Sequence, residues 1–136
     1  MTLIEFHFNV ADKFGKIAQL VQQHLDRGQR LTILCPTSVV QSLQQHLQTQ
    51  APLMLPSGAL NHPDAPIYLH HQLQQISHDD VLINLHHPQP NQFSCFLKTI
   101  EIVGTEEQDK AQARERYKFY RERGYEISNI DAKDQE

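Results

Sequence analysis

Four cations and a phenol recur at helical spacing near the end of the chain: Lys110, Arg114, Lys118 and Arg121, with Tyr117 beside them. At 3.6 residues per turn the four cations fall in one narrow strip with Tyr117 at its border, and Ala113, Tyr117 and Tyr120 form the adjoining apolar face. Glu115 and Glu122 lie on the far side of the strip, beyond Lys118. Residues 105–123 hold six basic and five acidic side chains, so the signal is their segregation rather than their sum. A cationic strip along an aromatic edge suits a small anionic, partly apolar partner. Arginine grips a carboxylate through two parallel hydrogen bonds, while lysine attracts anions more diffusely. A merely solvated charged face is the competing reading of the same residues.

Other reactive side chains do not assemble into a catalytic set. Nine histidines include the pairs His70–His71 and His86–His87, each following an expected strand. Adjacent residues on a strand end point to opposite faces, so each pair offers one ligand to a shared site, without Cys, Asp or Glu partners at metal-binding spacing. A small hydrolase or metal enzyme built on these pairs is therefore a minor alternative, and no metal ligands are assigned. Cys35 sits in an apolar run and reads as an inert core thiol, and Cys95 carries no motif. The first strand-to-helix turn reads NVAD and the second CPTS. Neither has the glycines that bring backbone amides to a pyrophosphate, and no Walker lysine is present. No catalytic residues and no cofactor are expected.

The elements that must position the strip follow from periodicity. Residues 2–8 alternate as a strand. Asn9 or Asp12 caps a helix with Phe14, Ile17, Ala18, Val21 and Leu25 on one face, and Gly28 stops it. Leu31 to Leu34 is an uncharged strand of the kind that parallel sheets bury on both faces. Pro36 and Thr37 open a second helix with Val39, Val40, Leu43 and Leu47 inward. Prolines punctuate residues 50–66, where the island Leu53, Met54 and Leu55 reads as a short core strand or, if exposed, as a docking patch. Ile67 to Leu69 and Asp80 to Leu85 are further strands, and Lys98 to Val103 is expected to be the last. The cationic helix then opens at Thr105 as N-cap with Gln108 completing a capping box, with acids in its first turn. It closes at Gly124, with Tyr125 folding back onto Tyr120. The sum is one α/β domain over residues 1–130, a three-layer fold with a mainly parallel central sheet and helices on both faces. Residues 131–136 are expected to form a frayed polar tail.

Composition narrows the function classes. A chain of 136 residues with a formal charge of −4 is unlike a general nucleic-acid or membrane binder, which is normally basic overall. Residues 31–97 contain no Lys or Arg, which leaves cationic function to the two ends. No apolar run reaches the ~20 residues of a membrane span. The start, MTLIEFHF, lacks the form of a signal peptide, and the two cysteines make no disulfide framework, so a cytoplasmic setting is expected.

The segments DVLINL, FLKTIEIVGTEE and ARERYKFYRERGYEI together resemble the chi subunit of bacterial DNA polymerase III holoenzyme. The detail is concentrated in the last ~55 residues, with RLTILCP and the second helix fitting in position and length. The resemblance implies a Rossmann-like fold without a nucleotide site and a non-enzymatic role in DNA replication. It implies two partners. One is the psi subunit, a heterodimer partner that connects chi to the clamp loader. The other is the acidic C-terminal tail of single-stranded-DNA-binding protein, a run of aspartates ending in Ile-Pro-Phe and a free carboxylate. Nucleic acid would be met only indirectly. Carried over by motif, the tail site comprises Lys110, Arg114, Tyr117, Lys118 and Arg121, with Val103 on the preceding strand, and the psi contact falls on Leu53, Met54 and Leu55. Many relatives carry a Trp near the end of the second helix, where this chain has HLQTQ around Gln48 and no Trp at all. Direct single-stranded nucleic-acid binding by the same basic helix is the alternative function.

Overall fold

The architecture is that of a computed structural model, which describes residues 1–49, 65–73 and 80–135. Their strands are β1 (Leu3–Phe8), β2 (Leu31–Leu34), β3 (Ile67–His70), β4 (Val81–Asn84), β5 (Lys98–Ile102) and β6 (Ile127–Asp131). The helices are α1 (Lys13–Asp26), α2 (Thr37–Thr49) and α3 (Glu107–Glu122), with 3-10 turns at Asn91–Cys95 and Ala132–Gln135. The strands form one sheet in the order β3-β2-β4-β5-β1-β6, and every pairing is parallel. The expected three-layer α/β fold is therefore present.

Strand alternation sorts the core into two layers. On one face, Ile33, Ile83, Ile100 and Ile102 pack against Ile17, Leu20 and Val21 of α1 and Leu43 and Leu47 of α2. On the other, Ile4, Phe6, Leu34 and Leu82 pack against Ala113 and Tyr120 of α3 and against Phe93 and Phe96 around the first 3-10 turn. Parallel register lines up a row across this second face: Leu34 with Asn84, Asn84 with Glu101, Glu101 with Phe6, and Phe6 with Asn129.

Two helix ends follow the chemistry of their residues. Asp12 caps α1 by accepting the Gly15 N–H at 3.1 Å. Gly124 has φ +79°, and the amides of Gly124 and Tyr125 bond back to the carbonyls of Arg121 and Tyr120 at 3.0 and 3.1 Å. This is the Schellman arrangement, and Tyr125 returns to Tyr120 with ring centroids 6.4 Å apart.

Two expectations change. Thr105 does not cap α3; the N-cap is Glu106, without a side-chain cap bond. Asp109 instead reaches back to accept the Gly104 N–H at 2.6 Å, so the helix start is tied to the end of β5. Lys98–Ile102 is not the last strand, because β6 pairs with β1 along five residues from Ile127 to Asp131. At the start of the expected polar tail, Asp131 closes β6 and Ala132 packs against the α1–α2 core layer. The island Leu53, Met54 and Leu55 lies outside the described residues.

Candidate functional site

A cleft of about 350 Å³ opens beneath α3 at the carboxyl ends of β1 and β5. Strand β1 supplies Phe6 and Phe8 to its wall because even-numbered residues of that strand face α3, and Asn9 follows at the strand end. Asn9 adopts φ +60°, a left-handed conformation that asparagine tolerates better than most residues, and its Nδ2 donates to Asp131 Oδ1 at 3.1 Å. Val103 and Gly104 continue from β5, and Asn129 enters from β6. Helix α3 contributes Lys110, Ala113, Arg114 and Tyr117. The small Ala113 leaves room where a larger side chain would fill the cleft. Tyr117 leans on Phe6, with ring centroids 5.1 Å apart and planes at 59°, and its hydroxyl oxygen accepts from Asn129 Nδ2 at 3.3 Å.

Charge is arranged on the rim. Arg114 is exposed and, among the described residues, has no ion pair. Lys110 stands 3.8 Å from Glu107, a surface pairing worth little in water, so its charge stays available. Beneath them, Lys13 and Asp109 meet at 2.7 Å. Burial opposes ionisation of Asp109, but the bonds from Lys13 and Gly104 outweigh it and hold the carboxyl below its ordinary value of 3.8. Gly104 leaves room for this closeness, since a Cβ there would lie 3.0 Å from both Asp109 Oδ2 and Lys13 Cε and one of them would have to give. The cleft therefore joins an apolar floor to two cations that have no strong partner among the described residues.

Of the six residues expected to act together, Lys110, Arg114, Tyr117 and Val103 meet in this cleft. Lys118 and Arg121 do not line it. They are exposed further along the same strip, Arg121 about 10 Å beyond Arg114 at 1.5 Å rise per residue, and Lys118 is 3.9 Å from Glu122. Gln48 does not line the cleft either, because α2 packs with α1 against the opposite face of the sheet. The apolar wall is supplied by the phenylalanines of β1.

The histidine pairs take other roles. His70 and His71 do not diverge; their rings stack with centroids 4.4 Å apart, because His71 already lies beyond the end of β3. Among the described residues no three His, Cys, Asp or Glu side chains are grouped to hold a metal ion. Cys35 is wholly buried and burial pushes its thiol up to about 11, which makes it a poor nucleophile.

The periodicity did not reveal a buried polar network beside the cleft. Glu101 is fully buried and Arg116 is 4% exposed, and Arg116 Nε donates to Glu101 Oε1 at 2.9 Å. The second carboxylate oxygen accepts from Tyr120 at 2.7 Å and from Asn84 at 2.9 Å. Arg116 also donates to His87 Nδ1 at 3.0 Å. That contact puts the ring proton on Nε2, 3.0 Å from Glu115. The available signals were an acid between the isoleucines of IEI in β5 and an arginine on the inward arc of α3 with Ala113 and Tyr120.

Comparison with known proteins supplies the family. The family model of the DNA polymerase III chi subunit, HolC, matches residues 1–128. The chain belongs to this family. It is accordingly a chi-family replication protein, of a family that is an accessory component of the polymerase III assembly. No curated protein sequence matched it in a separate search. No helix among its described residues is long and apolar enough to cross a membrane.

Proposed function

We propose that this chi-family protein is a non-catalytic adaptor that receives the acidic C-terminal tail of single-stranded-DNA-binding protein in the cleft under α3. Through psi it would connect that tail to the clamp loader. The observation that carries the reading is the joining of an apolar floor, Phe6, Phe8, Val103 and Ala113, to two cations on one rim: Arg114, which has no ion pair among the described residues, and the weakly paired Lys110. A terminal phenylalanine needs the first and its free carboxylate needs the second, and the two lie within one cavity. Arg114 provides the directional grip, Lys110 the diffuse attraction, and Tyr117 the aromatic edge. Lys118 and Arg121 extend the positive strip along α3, where they attract aspartates upstream of the tail's end without contacting its last residue. The psi contact is assigned to Leu53, Met54 and Leu55. Affinity in the micromolar range, about −8 kcal/mol, and sensitivity to salt are expected of so shallow a site.

The test is titration of the protein with two Asp-rich peptides ending in Ile-Pro-Phe, one with a free carboxylate and one amidated, alongside bare single-stranded oligonucleotide. The adaptor reading expects the amidated peptide to bind at least tenfold more weakly and the oligonucleotide not to bind measurably. Equal affinity for both peptides would remove the carboxylate grip. Tight oligonucleotide binding would transfer the helix to direct nucleic-acid recognition.

A further inference from the structure

Helix α3 has little apolar surface with which to define its own position. Its sequence, EQDKAQARERYKFYRE, buries only Ala113, Arg116 and Tyr120, with Tyr117 and Phe119 partly covered. Tyr120, packed on Phe6 and Phe93 with ring centroids 6.0 and 5.0 Å away, and the tie from Asp109 to Gly104 and Lys13 resist a roll or a slide, and the charged bonds inside add a directional constraint that apolar packing lacks. Glu101 lies in the same cross-sheet row as Phe6 of the cleft wall, and two groups of α3 one turn apart, Arg116 and Tyr120, hold its two oxygens. Any other register takes the counter-ion from a buried carboxylate, leaving it only the amide of Asn84, and takes the carboxylate from the guanidinium, an arrangement that proteins strongly avoid. Arg116 also stands between Arg114 and Tyr117 in the chain, so its angle around the helix axis dictates theirs.

We infer that the buried Glu101–Arg116 pair, completed by Tyr120, is the register lock of α3: a positioning device that determines which face of the helix, and hence which cations, open on the cleft. Stability alone does not explain the pair. Burial raises the pKa of Glu101 in spite of Arg116 and the hydrogen bonds from Asn84 and Tyr120, so folding disfavours the charged form of the acid. A buried ion pair is commonly replaceable by apolar side chains without loss of stability, and the role left to it is to make one arrangement unique.

The inference rests on the proposed tail-binding reading only for its affinity readout; the register is read without a ligand. The triple variant Glu101→Leu/Arg116→Met/Tyr120→Phe removes every group of the lock, while Asn84 keeps a partner in the His86 carbonyl at 3.0 Å. It is expected to unfold cooperatively near the wild-type temperature. The backbone amides of 107–122 should nevertheless broaden or split in heteronuclear NMR spectra, and the Asp-rich peptide ending in Ile-Pro-Phe should bind at least tenfold more weakly. Arg116→Lys keeps the charge and loses the fork; it should remain folded and show the same effects to a lesser degree. A triple variant with one sharp set of α3 amides and wild-type affinity would overturn the inference. So would Arg116→Lys with a wild-type spectrum and affinity, even if the triple variant fails to fold. Broadened α3 amides in the variants of a protein that never binds the peptide would uphold the lock and refute the tail reading.

Discussion

Replacing Arg114 by alanine separates binding from folding more cleanly than any other change in the cleft. Arg114 is exposed and has no ion pair among the described residues, so its loss should alter stability by no more than about 0.5 kcal/mol. Its proposed partner is the free carboxylate of a bound chain end. A hydrogen bond to a charged group contributes about 1.5–3 kcal/mol, and each ~1.4 kcal/mol is tenfold in Kd. Arg114→Ala should therefore weaken the peptide roughly 10- to 150-fold, read by isothermal titration, with its unfolding midpoint nearly unchanged. Lys118→Ala is the internal control. That side chain is 68% exposed, lies 3.9 Å from Glu122 and is outside the cleft, so removing it should cost at most about 1 kcal/mol, roughly fivefold or less. Equal affinities for wild type and Arg114→Ala, or a larger loss from Lys118→Ala, would refute the reasoning.

Further consequences concern stability. Arg116→Met leaves the fully buried Glu101 without its counter-ion and should destabilise the fold by about 3–5 kcal/mol in urea unfolding; a loss below about 1 kcal/mol would show that the pair is not closed in solution. Gly104→Ala makes the flexible ends of Asp109 and Lys13 give by a few tenths of an ångström and should cost less than about 1 kcal/mol, with a larger loss in urea unfolding as the refuting result. His24 is 2% exposed, and burial lowers its pKa below the ordinary 6.5, the bond from its Nδ1 to the Leu20 carbonyl only partly compensating. The folded state thus binds the proton less readily than the unfolded chain. The stability carried by neutral His24 is fully present above pH 6.5 and is lost as pH falls from there through the lower folded pKa. Melting temperatures followed from pH 7.5 to 5 should decline in wild type and decline less in His24→Gln; parallel profiles would contradict this.

The sequence displayed the layout because its largest signals are local. The uncharged, largely apolar runs at 31–34 and 81–84 have the form of strands buried on both faces of a parallel sheet, and Gly124 with Tyr125 encodes a helix stop within three residues. What escaped depends on partners distant in the chain. The Thr105 cap was a sound local expectation, but Asp109 found the Gly104 amide and the ammonium of Lys13, which lies 96 residues earlier. Strand β6 is half exposed and includes Ser128, Asn129 and Asp131, residue types poor in strands, so its identity comes from pairing with β1. Glu101 and Arg116 escaped because each is tolerable inside only in the presence of the other. The helical wheel collected Lys110, Arg114, Lys118 and Arg121 on one strip, yet it could not show that the cleft ends one turn beyond Arg114. That limit is set by β1 and β6 beneath the helix.

The proposed seat for an anionic chain end is the cleft between α3 and the β1–β6 edge of the sheet. A backbone and methyl chemical-shift map of the isotope-labelled protein, titrated with the Asp-rich peptide ending in Ile-Pro-Phe, locates the peptide without any substitution. Saturable shifts are expected to centre on Val103, Gly104, Ala113, Tyr117 and Asn129, with little change over α1 and α2. Shifts confined to the α1–α2 face, or none at millimolar peptide, would contradict that seat.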